Sequence, residues 1–147
     1  MMYKSEEEFL AAYNPEEFER LSLTTDILIL SISDEEQANY RKTTKKHMSV
    51  LLCKRDDYPF KDKWCLPGGY VGLEETSKDA AIRILEKETS LKDVYMQQVG
   101  VYDSINRDPR GRTISSSYMA LIDRTVLEQD LSNEAAWFDI EVVEKKD

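Results

Sequence analysis

The segment from Trp64 to Leu91 constrains this chain more than any other, because strand formers, an abrupt turn and a capped helix follow one another without a gap. Trp64-Cys65-Leu66 and Tyr70-Val71 flank Pro67-Gly68-Gly69, whose residues favour a turn by fixing or freeing the backbone. Thr76 and Asp79 stand at capping-box spacing. Ala80, Ala81, Ile84, Leu85 and Glu88 then fall at helical spacing, which predicts a helix over 77–89.

Around this unit the chain reads as strands. Residues 25–32 and 48–53 are short apolar runs, and 94–102, 113–122 and 137–142 carry further strand signals. Residues 33–47, with Glu35-Glu36 and the basic run from Arg41 to Lys46, read as a charged hairpin loop that also holds His47. Phe9, Leu10, Tyr13, Phe18 and Leu21, interrupted at Asn14-Pro15, suggest two short helical turns. The expected organisation is a helical extension over 1–21 followed by one domain over 22–147. Strands, one central helix and more strands indicate an α/β domain.

At 147 residues the chain fits one domain, which at such a size buries roughly 70% of its unfolded surface. Acidic residues outnumber basic ones 29 to 20, and the net charge of −9 disfavours nucleic acid, whose binding requires cations to displace counterions from phosphate. Ser5-Glu6-Glu7-Glu8 is unlike a targeting segment, and no apolar run is long enough to span a membrane, so a cytoplasmic location is expected. Cys53 and Cys65, without a C-x-x-C spacing or a histidine cluster, read as reduced core thiols.

Gly69, Glu75, Arg83 and Glu88 stand in the order Gly-x5-Glu-x7-Arg-x4-Glu, with Leu85 and Leu91 at apolar positions. In this the sequence resembles the Nudix family, whose signature is Gly-x5-Glu-x7-Arg-Glu-U-x-Glu-Glu-x-Gly-U, U being a bulky aliphatic residue. The resemblance implies a mixed sheet sandwiched between helices, and a loop and helix that hold divalent metal against a diphosphate. In active members, water attacks one phosphorus while helix carboxylates bind magnesium and prepare the water. Glu75, Arg83 and Glu88 occupy the matching catalytic positions, and Gly68 with Glu88 would touch the metal.

The departures fall on the metal patch. Ile84 and Lys87 replace two of three carboxylates that a helix would place within about 100° of one another. Magnesium needs such carboxylates as anchors, so any bound Mg2+ is expected to be weak. Ser90 stands where the family has its helix-ending glycine.

Arg107, Arg110 and Arg112 crowd one loop of an otherwise acidic chain. They suit a phosphate clamp, and equally a solvated turn shaped by Pro109 and Gly111. The run from Gln98 to Tyr118 resembles the Nudix branch of ADP-ribose pyrophosphatases and Nudix-related transcription regulators. That resemblance implies a homodimeric domain that senses ADP-ribose or a related nucleotide or sugar with lost or weak hydrolysis. The alternative is an active magnesium-dependent hydrolase of ADP-ribose-like compounds. Arg107, Arg110, Arg112, Lys87 and Arg55 are the expected ligand contacts. Trp64, Tyr70, Tyr102 and Trp137 could stack on an adenine, with core packing as the default. In the regulators a winged helix binds DNA; residues up to Asp147 contain no such helix pair, so no direct nucleic-acid contact is expected from them.

Overall fold

A computed structural model describes residues 3–34, 46–126, 131 and 134–141. Helix α1 (Glu6–Ala12) and a 3-10 turn (Pro15–Glu17) lead into β1 (Ser22–Asp34). There follow β2 (Lys46–Lys54), β3 (Trp64–Cys65), β4 (Gly68–Tyr70), α2 (Ser77–Thr89), β5 (Met96–Tyr102), β6 (Thr113–Leu121) and β7 (Ala135–Ile140).

The seven strands form one mixed sheet. Its spine is β1, which runs parallel to β6 from Ser22↔Thr113 to Leu30↔Leu121. On the other edge β1 changes partner: Thr24–Asp26 pair antiparallel with β4, and Leu30–Asp34 pair antiparallel with β2. Strand β2 continues to β3 and β7, and β5 closes the far side on β6 with a register shift between Gln98 and Gly100.

Alternation explains which face is covered. Ile27 and Ile29 on β1 are fully buried and form the core with Leu51, Ala81, Ile84, Leu85, Tyr118 and Ala120. Each large aliphatic side chain so buried contributes roughly 1.5–3 kcal/mol. Helix α2 supplies this layer, closed at its start by Thr76, which accepts from the Asp79 N–H at 3.1 Å while Asp79 accepts from the Thr76 N–H at 3.0 Å. By contrast α1 buries no residue, and around it the exposed rings of Tyr3, Phe9, Tyr13 and Phe18 contact one another in succession, edge-on, tilted and then stacked.

The helix bounds agree with the sequence reading, whereas the strands differ at their ends. Strand β1 extends beyond 25–32 because its ladder with β6 continues from Ser22. His47 lies on β2 opposite Ser33, half-buried, and so is not a loop residue. The last strand, expected over 137–142, starts earlier, at Ala135, and ends at Ile140 in register with β2; residue 142 lies outside the described residues. The basic run from Arg41 to Lys45 lies outside the described residues.

Candidate functional site

A cleft of about 690 Å³ lies where β1 exchanges one partner for the other. Its walls are the end of β2 with Cys53–Asp56, the turn from Cys65 to Tyr70, Lys87 and Glu88 of α2, and Arg107–Arg110 from the loop between β5 and β6. That volume is within the range of small-molecule sites. The turn approaches β1 closely: a Cβ at Gly68 would lie 2.8 Å from the Thr25 carbonyl oxygen and would collide with the Asp26 carboxylate. Only glycine fits there without displacing backbone.

The residues of the sequence motif divide into two groups. Arg83 grips Glu75 through both oxygens, with Nε to Oε2 at 3.1 Å, and also donates to the Tyr70 carbonyl at 3.2 Å. Glu75 further accepts from the Gly72 N–H at 2.8 Å. Arg83, then the Gly72 amide, hold this carboxyl below its ordinary range. Neither Glu75 nor Arg83 is among the residues lining the cleft; they fasten the turn to the helix. Lys87, Glu88 and Gly68 do line it.

Glu88 is the one carboxylate of the helix patch that remains, and it is largely enclosed. The Cys53 thiol donates to Glu88 Oε2 at 3.3 Å, and Lys87 Nζ stands 3.6 Å from Oε1. Ile84, instead of facing the cleft, is 5% exposed within the core. Burial, and next the Glu88 charge, push the Cys53 thiol up, which keeps it protonated as a donor. Cys65 lies directly opposite Cys53 and donates to its carbonyl at 3.4 Å. Both thiols are free and half-buried on the cleft wall, so they are not fully buried core residues.

Of the helix patch, this cleft offers magnesium a single carboxylate, Glu88. Among the described residues no three His, Cys, Asp or Glu side chains converge to hold a metal. Glu75 is spent on Arg83, and a hard dication finds at Glu88 one carboxylate bonded to a thiol and facing an ammonium.

The arginines part company. Arg107 reaches Asp26 at 3.8 Å, and Arg110 makes a fork with Asp108 while its guanidinium lies 5.2 Å from the centroid of the Tyr70 ring. Both line the cleft. Arg112 instead turns back to the carbonyls of Asp103 and Ser104 and is not among the lining residues. Arg55 lines the cleft, with its Nε buried and without an acceptor. A second hollow, about 360 Å³ and mainly apolar, shares Asp26 and Arg107 with the first and is walled by Leu28, Val99, Tyr102 and Tyr118.

Sequence reasoning missed Asp26 and Lys54. A single carboxylate inside the apolar run 25–32 was the available sign for Asp26. Lys54 beside Arg55 had no such sign, since a charge at a strand end is commonplace. The aromatics also separate: Tyr70 lines the cleft and Tyr102 the second hollow, while Trp64 packs edge-on against Phe138 at 4.9 Å.

A glycine turn and a capped helix on a mixed sheet, opening a cleft lined by five lysine or arginine and five aspartate or glutamate side chains, define an α/β domain with a polar, charge-rich small-molecule site. The NUDIX domain model matches residues 37–147, and the chain belongs to that family. It is 32% identical over 149 residues to the ADPR responsive transcriptional repressor NtrR of Acinetobacter baylyi, covering 99% of this chain and 55% of the repressor. The ADP-ribose pyrophosphatase of Methanocaldococcus jannaschii is 38% identical over 97 residues, 65% of this chain and 57% of that enzyme. The chain thus spans little more than half the length of these relatives. Among solved structures, the NUDIX domain of Shewanella oneidensis NrtR complexed with ADP ribose superposes with a TM-score of 0.70 at 26% identity, covering 91% of this chain and 82% of that one. No helix among the described residues is long and apolar enough to cross a membrane.

Proposed function

We propose that this domain binds ADP-ribose, or a closely related nucleotide or sugar ligand, as a sensor that hydrolyses it weakly or not at all. The observation that carries the proposal is one juxtaposition. Arg107 and Arg110 come to the same cleft as the motif helix, whose carboxylate patch is reduced to Glu88. Cations suited to phosphate oxygens are assembled, and the carboxylates that would anchor magnesium for hydrolysis are not. The adjoining apolar hollow, with Tyr102, offers room and an aromatic face for a base or ribose. Similarity to a repressor described as ADPR responsive and to an NrtR domain solved with ADP ribose supports this choice of ligand.

The second reading, an active magnesium-dependent hydrolase, is favoured by Glu88 at the cleft and by similarity to a pyrophosphatase. Calorimetric titration with ADP-ribose, paired with chromatography of the products with and without magnesium, separates the two. Binding without product supports the sensor. Magnesium-dependent product formation supports the hydrolase. A homodimer belongs to the same proposal; the exposed aromatic row from Tyr3 to Phe18 is a surface it would cover, and sedimentation of the chain with and without residues 1–21 tests it.

A further inference from the structure

We infer that the ligand's diphosphate is held here by fixed cations, with Lys87 supplying the positive charge that a divalent metal would otherwise bring. The inference rests on the anion-binding reading above and extends it to metal independence.

Four observations converge on it. Lys87 is on the motif helix, lines the cleft, and has a side chain 80% exposed, so its ammonium is presented instead of packed. Its contact with Glu88 at 3.6 Å is long for a charge-assisted hydrogen bond, leaving donors for another acceptor. Arg55 lines the same cleft from just beyond the end of β2, so a further fixed cation stands on its wall. Ile84 has withdrawn into the core, which removes a carboxylate that would repel an unscreened phosphate.

The charges also agree in sign. A diphosphate brought against three helix carboxylates is repelled unless dications intervene. Against Ile84, Lys87 and Glu88 that repulsion is largely cancelled by the protein itself. Lysine has a compact, mobile charge on a flexible stem, and so can follow phosphate oxygens without the strict octahedral geometry that magnesium demands.

The test uses the full chain and two probes, inorganic pyrophosphate and ADP-ribose, each titrated calorimetrically in EDTA and in magnesium. The wild-type protein is expected to bind pyrophosphate in EDTA as tightly as in magnesium. Lys87→Glu should weaken binding in EDTA by about tenfold or more and regain part of it when magnesium is added, while Lys87→Arg stays near wild type. Because the side chain is exposed, neither change should impair folding, which circular dichroism verifies.

A wild-type protein that binds neither probe in EDTA overturns the inference, as does a Lys87→Glu variant with unchanged affinity there. The ligand reading fails separately. Metal-free binding of pyrophosphate without binding of ADP-ribose keeps the fixed-cation site and discards the ligand. Binding of ADP-ribose only with magnesium keeps the ligand and discards the fixed-cation site.

Discussion

The Cys53 thiol donates its hydrogen bond to Glu88, the last carboxylate of the helix patch, across 3.3 Å. Burial and the adjacent carboxylate both disfavour a thiolate, so Cys53 should react slowly with alkylating reagents. Mass spectrometry after iodoacetamide treatment at neutral pH should show Cys53 modified at least about tenfold more slowly than in the urea-unfolded chain. Equal rates would mean that the bond to Glu88 does not persist in solution.

Restoring the two lost carboxylates should have unequal consequences. Ile84 is buried among Ala81, Leu85 and Ile27, so Ile84→Glu removes apolar burial and introduces a charge without a partner. It should destabilise the fold by about 3 kcal/mol or more in chemical denaturation. Lys87→Glu, at an exposed position, should change stability by less than about 0.5 kcal/mol. Comparable losses for the two would show that Ile84 is not a core residue.

Helix α2 ends at Ser90 in the left-handed conformation, with φ 58 and ψ 5. A side chain is disfavoured there because its Cβ crowds the backbone, and glycine avoids the crowding at a smaller entropic cost. Ser90→Gly should therefore stabilise the domain, by on the order of 0.5–1 kcal/mol in denaturant titration. A loss of stability would mean that this terminus is not left-handed.

The arginine loop should be insensitive to pH over the physiological range. The fork from Arg110 holds the Asp108 carboxyl down to about 2. A carboxyl depressed in the folded state stabilises at pH above its unfolded value of about 3.9, and that contribution is lost as pH falls toward the folded value. NMR titration should place the Asp108 midpoint near 2 and show it rising toward about 3.9 in Arg110→Ala. A wild-type midpoint already close to that of a free aspartate would show that the fork is open.

Local signals made α2 legible: the Thr76/Asp79 cap and the apolar spacing act within one turn of each residue and settle the helix bounds. The ends of β1 were not, because a parallel partner ninety-odd residues away in sequence, as in Ser22↔Thr113, extends the ladder into polar residues without local marks. The site shows the same division. Ile84 and Lys87 could be read as lost carboxylates from the motif alone. That Arg110 stays on the cleft while Arg112 bends back to Asp103 depends on loop geometry that spacing does not encode. Asp26 became visible as a site residue only when β1 passed beneath Gly68 and Arg107.

The most direct test is single: ADP-ribose is incubated with the protein and magnesium, heat of binding is recorded, and AMP is quantified from the same sample. Saturable binding with AMP no higher than in a protein-free control is the expected result. Rapid magnesium-dependent release of AMP would contradict it and establish a hydrolase.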